Sequence, residues 1–150
     1  MHFPVVSWVL LLLTLFMTAF ILDETAMMAT HYLTQGNADA AADAGANQRH
    51  LTITNDDIHE FVISPIEAQN AASAAFAKNL NNMETMGIET DLIENPTYSF
   101  PDQYSIGVSI DLSHEMKFSE SAMENVFDNY QPFEPLEDSV FAVSDINHRK

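Results

Sequence analysis

The side chains best equipped for chemistry here are oxygen and imidazole donors, since the chain holds 22 Asp and Glu, six His and no Cys. Asn55, Asp56, Asp57 and Glu60 crowd hard oxygen ligands into one short stretch, the donor type that Ca²⁺ takes. They lack the alternating spacing and the glycine of an EF-hand loop, so they make a calcium candidate with an imperfect motif. His31, His50, His59, His114 and His148 show no His-x-x-x-His or other ligand spacing and read as solvated or capping groups. Without cysteine there is no thiolate zinc site, no thiol nucleophile and no disulfide frame. A serine nucleophile needs a strained elbow such as Gly-x-Ser-x-Gly, whereas Ser109 in Gly107-Val108-Ser109 lies inside an alternating run. So many carboxylates offer accidental pairs for acid–base work, but no motif singles one out. With only four Gly there is no phosphate-cradling loop. The expectation is a protein that is not an enzyme and needs no cofactor.

The elements that would position these groups follow from where the charge lies. The formal charge is −17 over 150 residues, and residues 1–22 contain no Asp, Glu, Lys or Arg. Residues 23–150 therefore carry all of it. Nucleic acid is excluded as an expected partner, because binding it needs basic side chains that displace phosphate counterions. Attraction to anionic lipid fails for the same reason.

Val5 to Leu22 reads VVSWVLLLLTLFMTAFIL, with Ser7, Thr14 and Thr18 as its polar members. At 1.5 Å per residue, Phe3 to Leu22 extends about 30 Å, a hydrocarbon layer's thickness. Trp8 near one end suits a headgroup region. A cleaved signal peptide would instead show a basic n-region, a shorter apolar stretch and a small-x-small cleavage site. The expected anchor is therefore retained, with residues 1–22 in the membrane. The acidic stretch after Leu22 has no Lys or Arg before Arg49, which places it on the non-cytoplasmic side.

Nothing breaks the helix after Leu22, since DETAMMATHYLTQGNADAAADAGANQ has no proline and is rich in Ala and Met. One helix from about Val5 to Asn47 is expected, with residues 23–47 continuing outside the membrane. Along it Leu22, Ala26, Ala29, Leu33, Gly36, Ala40 and Ala44 recur every three or four residues. Small side chains on one face let helix backbones approach, so this stripe can pack against neighbouring helices or against the chain's own globular part. Gly36 costs about 1 kcal/mol relative to Ala in a helix, which close packing or a bend would offset. Asp23 and Glu24 read as a solvated cap at the membrane edge.

An apolar N-terminal span followed by Leu33-Thr34-Gln35-Gly36-Asn37-Ala38-Asp39-Ala40-Ala41-Ala42-Asp43-Ala44-Gly45-Ala46 resembles the Tad (tight adherence) pilus minor pilins and pseudopilins. Members commonly carry a Leu-Gln-Asn-Ala-Ala-Asp-Ala-Ala-type stretch directly after the span. The resemblance covers about residues 5–47. It implies a single-pass subunit of the bacterial cell membrane whose N-terminal helix enters a filament, with other pilin subunits and the assembly platform as partners. The chain departs from major pilins in having no Gly before Gly36 and no acidic residue before Asp23.

Residues 48–150 read as one small α+β domain outside the membrane, with one or two helices on an antiparallel sheet. NQRHLTITNDDIHE suggests a brief strand and a loop. Ser64-Pro65-Ile66-Glu67 has the form of a capping box and predicts a helix to about Asn82 that buries Ile66, Ala72, Phe76 and Leu80. Ile88 to Glu94 suggests a strand. Tyr104, Ile106, Val108, Ile110 and Leu112 alternate with polar or small residues as a half-buried strand does. Asn95-Pro96 and Phe100-Pro101-Asp102 punctuate the approach, Glu120 to Phe127 suggests a short helix, and Ser139 to Ile146 a final strand. The remaining alternative is a membrane-tethered module binding a ligand or calcium through the Asn55–Glu60 cluster.

Overall fold

The structure is a computed structural model that describes residues 3–53, 59–127 and 129–146. Its elements are α1 (Phe3–Ala46), β1 (Arg49–Ile53), β2 (His59–Ile63), α2 (Pro65–Thr85), β3 (Thr97–Asp102), β4 (Ser105–His114), α3 (Lys117–Glu124) and β5 (Leu136–Asp145). The chain forms two compact units, one of Met1–Thr30 with Ser113–Glu137, the other of His31–Leu112 with Asp138–Lys150. The architecture is α+β, as the change from helical to two-residue periodicity predicts.

In the larger unit, Ala38, Ala41, Ala42 and Ala46 of α1 pack with Ala68, Ala72, Phe76 and Met83 of α2 and with the inner row of the sheet. That row is Ile106, Val108, Ile110 and Leu112 of β4 with Val140 and Ala142 of β5, all nearly inaccessible to water. Burying each Val, Ile or Leu contributes about 1.5–3 kcal/mol, so β4 is the apolar centre of this unit. The sheet order is β3-β4-β5, with β3 antiparallel to β4. A separate hairpin pairs β1 with β2, from Arg49 opposite Ile63 to Ile53 opposite His59.

Alternation in β4 is as expected, but its second face is also partly covered. Gly107 is buried, and a Cβ there would stand 2.4 Å from Ser99 Oγ and 3.2 Å from the Phe141 ring. Three expectations need correction. Ile88 to Glu94 forms no strand; only Ile93 bridges to Leu112. Thr97–Asp102 is a strand in spite of Pro101, because β3 occupies one end of the sheet order, where a missing N–H costs no ladder bond. In α2, Ile66 is 76% exposed on the first turn, and Ala68 and Met83 join Ala72 and Phe76 in the buried set.

The start of α2 is also built differently from a capping box. Ser64 occupies the N-cap position with Pro65 after it, but its side chain makes no cap hydrogen bond. Its amide donates to Gln48 O at 3.1 Å. The Glu67 carboxylate instead lies 2.6 Å from His50 Nε2 in β1, so the pair that would close the helix ties it to the hairpin.

The turn from β3 to β4 rests on Asp102, whose Oδ1 accepts from the Tyr104 amide at 2.7 Å and from Ser105 Oγ at 2.8 Å. The Tyr104 amide first, then the Ser105 hydroxyl, hold this carboxyl below its ordinary value. A lowered folded pKa means that the contribution is complete above the unfolded value near 3.8 and is lost as pH falls through the folded one. Protection of the Tyr104 amide from exchange is therefore expected to fall in acid, and Asp102→Ala should flatten that dependence; an unchanged profile would show that the turn does not need the carboxylate.

Candidate functional site: the first helix and its two faces

Two faces of α1 serve different ends. Counting 100° per residue, Leu22, Ala26, Ala29, Leu33, Gly36, Ala40 and Ala44 fall on one stripe, and Ala19, Asp23, Thr34, Asn37, Ala41 and Gly45, which the fold covers, fall about 90° around the helix from it. Leu22, Ala26, Ala29, Leu33 and Gly36 are exposed, while Ala40 and Ala44 are half-buried. A Cβ on Gly36 would meet nothing within 4 Å. Of the two readings of the stripe, packing on the chain's own globular part is met only by the half-buried Ala40 and Ala44, and among the described residues no close packing surrounds Gly36.

The covered face is made of less obvious residues. In the smaller unit it includes Ala19 and Asp23; in the larger, Thr34, Asn37, Ala41 and Gly45. Gly45 is held by close approach, since a Cβ there would lie 2.7 Å from Ile106 Cδ1 and 3.1 Å from Ala68 O. Asn37 Nδ2 donates to Phe76 O at 3.5 Å. Beside this row, Gln35 Nε2 donates to Phe141 O at 3.1 Å, Ser144 Oγ donates to Asp43 Oδ1 at 2.6 Å, and His31 Nδ1 lies 2.6 Å from Asp138 Oδ2. His31 and His50 are therefore partnered by carboxylates, not simply solvated.

Asp23 is the most unexpected group. It is 7% exposed, and its two carboxylate oxygens accept from the amides of Phe118 at 2.9 Å and Ser119 at 2.7 Å. Those amides belong to the first turn of α3, whose donors have no partner within the helix. A carboxylate at a helix N-terminus satisfies them and also complements the macrodipole. Asp23 is thus a tertiary cap for α3, which corrects its reading as a solvated edge residue. Glu24 beside it is exposed, as a solvated residue should be. Sequence offered one signal for this role: Asp23 falls in the same helical row as Ala19 and Thr34.

α3 and the segment after it lie along the apolar part of α1 within the same unit. Phe127 stacks on Phe16 with ring centres 6.2 Å apart and planes 11° from parallel. Phe133 meets Phe20 at 6.4 Å and Tyr130 at 5.7 Å. Glu120 Oε1 accepts from the Phe133 amide at 2.9 Å and so closes the segment on itself.

Of the calcium candidate, Asn55, Asp56 and Asp57 lie outside the described residues. Glu60 is described, and its carboxylate accepts a hydrogen bond from the Tyr104 hydroxyl. Among the described residues, no group of three or more His, Asp or Glu is placed to hold a metal ion. α1 is long and apolar enough to cross a membrane, and Val5, Val6, Trp8, Val9, Leu10, Leu11, Leu13 and Leu15 are all exposed along it. Comparison of the chain with protein-family models, with curated proteins and with solved structures finds no match.

Proposed function

We propose that this chain is a minor pilin-like or pseudopilin-like structural subunit of a Tad-type pilus or secretion filament, held in the bacterial cell membrane by α1 and assembling through it. The observation that carries this reading is the division of labour on α1. One face is consumed by the chain's own fold, and the Leu22-to-Ala44 stripe of small residues is left largely open. Such a stripe gives neighbouring helices a close approach without steric cost. Other pilin subunits and the assembly platform are the partners, and the C-terminal part lies outside the cell membrane. The charge of −17, carried wholly beyond residue 22, keeps exposed domains soluble and apart, while the stripe itself holds no charged side chain.

The test is association of the full chain in mild detergent, followed by sedimentation. Ala29→Trp and Gly36→Trp each place a large ring on the open face, and at Gly36 the added Cβ meets nothing within 4 Å among the described residues. Each is expected to weaken self-association at least tenfold, about 1.4 kcal/mol. Variants that assemble like the parent would remove the stripe as an interface.

A further inference from the structure

The apolar run of α1 from Val5 to Leu22 rises about 27 Å, and a bilayer's hydrocarbon layer is about 30 Å thick. Phe16 lies six residues before Leu22, about 9 Å inside that end of the run. No placement that buries this run in a bilayer leaves Phe16 in water. Phe127 stacks on Phe16, and Phe133 reaches Phe20, so the segment following α3 shares that depth. Asp23 fixes the start of α3 one residue beyond Leu22, and Phe127 lies beside Phe16; the chain from Phe118 to Phe127 therefore descends along α1 from the end of the apolar run into it.

The apolar side chains agree with that depth. Phe118 and Phe127 are each 51% exposed and Val126 and Phe133 37%, so a cluster of large apolar groups remains open beside the equally open Leu13 and Met17 of α1. The polar groups of the segment are in part internally engaged: Asp23 takes two amides, Glu120 takes the Phe133 amide, and Asn125 Nδ2 donates to Ser121 O. Aromatic side chains with a polar end, here Tyr130, favour the boundary between headgroups and acyl chains.

We infer that α3 and the described residues after it, 125–127 and 129–133, form an interfacial membrane element whose occupant is lipid, with Val126, Phe127 and Phe133 entering the outer acyl boundary beside α1. This rests on α1 being a membrane anchor. Glu115, Glu120 and Glu124 make zwitterionic lipid the fitting surface, because an anionic one would repel them.

The chain has no cysteine, so a single introduced one carries a spin label at a single site. Four variants of the full chain in phosphatidylcholine vesicles suffice: Leu13→Cys, Val126→Cys, Phe127→Cys and Lys78→Cys. Collision rates with dissolved oxygen and with a water-soluble nickel chelate then report lipid and water. The Leu13 label should favour oxygen and the Lys78 label nickel. Labels at 126 and 127 should give oxygen-to-nickel ratios several-fold above that at 78, at a depth of about 5–10 Å. Val126→Cys keeps the Phe127–Phe16 stack and so guards against a locally disrupted segment. A lipid-like Leu13 with aqueous labels at 126 and 127 overturns the inference and leaves the anchor standing. Labels at 126 and 127 shielded from both reagents overturn it in favour of a second copy of the chain. An aqueous Leu13 overturns the anchor itself, and this inference with it.

Discussion

Replacing Asp23 with alanine should release α3 from α1 while the larger unit stays folded. Asp23 is buried and charge-assisted hydrogen bonds run from its two oxygens to the amides of Phe118 and Ser119. A hydrogen bond to a charged group contributes about 1.5–3 kcal/mol, and loss of an N-cap costs about 0.5–2 kcal/mol. Removing the carboxylate also strands two donors in a site with little access to water, so the loss should reach about 2–3 kcal/mol. An eight-residue helix has almost no stability of its own, and this loss is enough to melt it locally. Hydrogen exchange on the full chain in lipid checks this: the amides of Phe118 and Ser119 should exchange about 30- to 150-fold faster, following 1.4 kcal/mol per factor of ten. Asp23→Asn keeps an acceptor and should fall between. Unchanged protection in the alanine variant would mean that the ring contacts at Phe16 and Phe20 hold α3 alone.

The two glycines of α1 should respond in opposite directions to the same change. Gly45→Val places its branched side chain against Ile106, which is fully buried, and against Ala68 O at 3.1 Å from the new Cβ. Neither a backbone oxygen nor a close-packed isoleucine can withdraw, so overpacking of about 1–3 kcal/mol is expected. Gly45→Ala meets the same atoms but recovers up to about 1 kcal/mol of helix propensity, so its cost should be smaller. Gly36→Ala has open space around it and should stabilise the isolated chain by about 0.5–1 kcal/mol. Chemical unfolding of the three variants reads all three signs. If Gly36→Ala destabilised the chain, the stripe would not be the open face of α1.

The elements most legible in sequence were those with a sustained period. α1 follows from an unbroken apolar run and an Ala-rich continuation, and β4 from strict alternation over Tyr104 to Leu112. The packing face of α1 was only partly legible, because its buried alanines are mixed with groups that hydropathy does not mark. Thr34, Asn37, Gly45 and Asp23 are polar or lack a side chain, and they pack by small size or by reaching a specific partner. The recurrence of small side chains every three or four residues picked out the Leu22-to-Ala44 stripe instead, whose residues from Leu22 to Gly36 are exposed. β3 was hidden by Pro101, which is harmless at the end of a sheet but reads as a strand breaker. The capping box at Ser64 located the start of α2 within a residue, yet its side-chain bonds differ, since Glu67 has a closer partner in His50. Residue spacing along one chain cannot register such a partner, which lies 17 positions away in a strand.

The partners of α1 also set an order of events in synthesis. Four of its polar side chains find partners far along the chain: Asp23 across 95 residues, Asp43 across 101, Gln35 across 106 and His31 across 107. The helix leaves the ribosome first and receives these bonds last, when α3 and β5 arrive. Closing loops of that length is slow and belongs to the late stage of folding. Until β5 is made, His31, Gln35 and Asp43 of α1 lack these bonds, although α2 and β4 can already cover Ala41 and Gly45. Completion of the last strand is therefore the step that ties the polar flank of α1, from His31 to Asp43, into the larger unit.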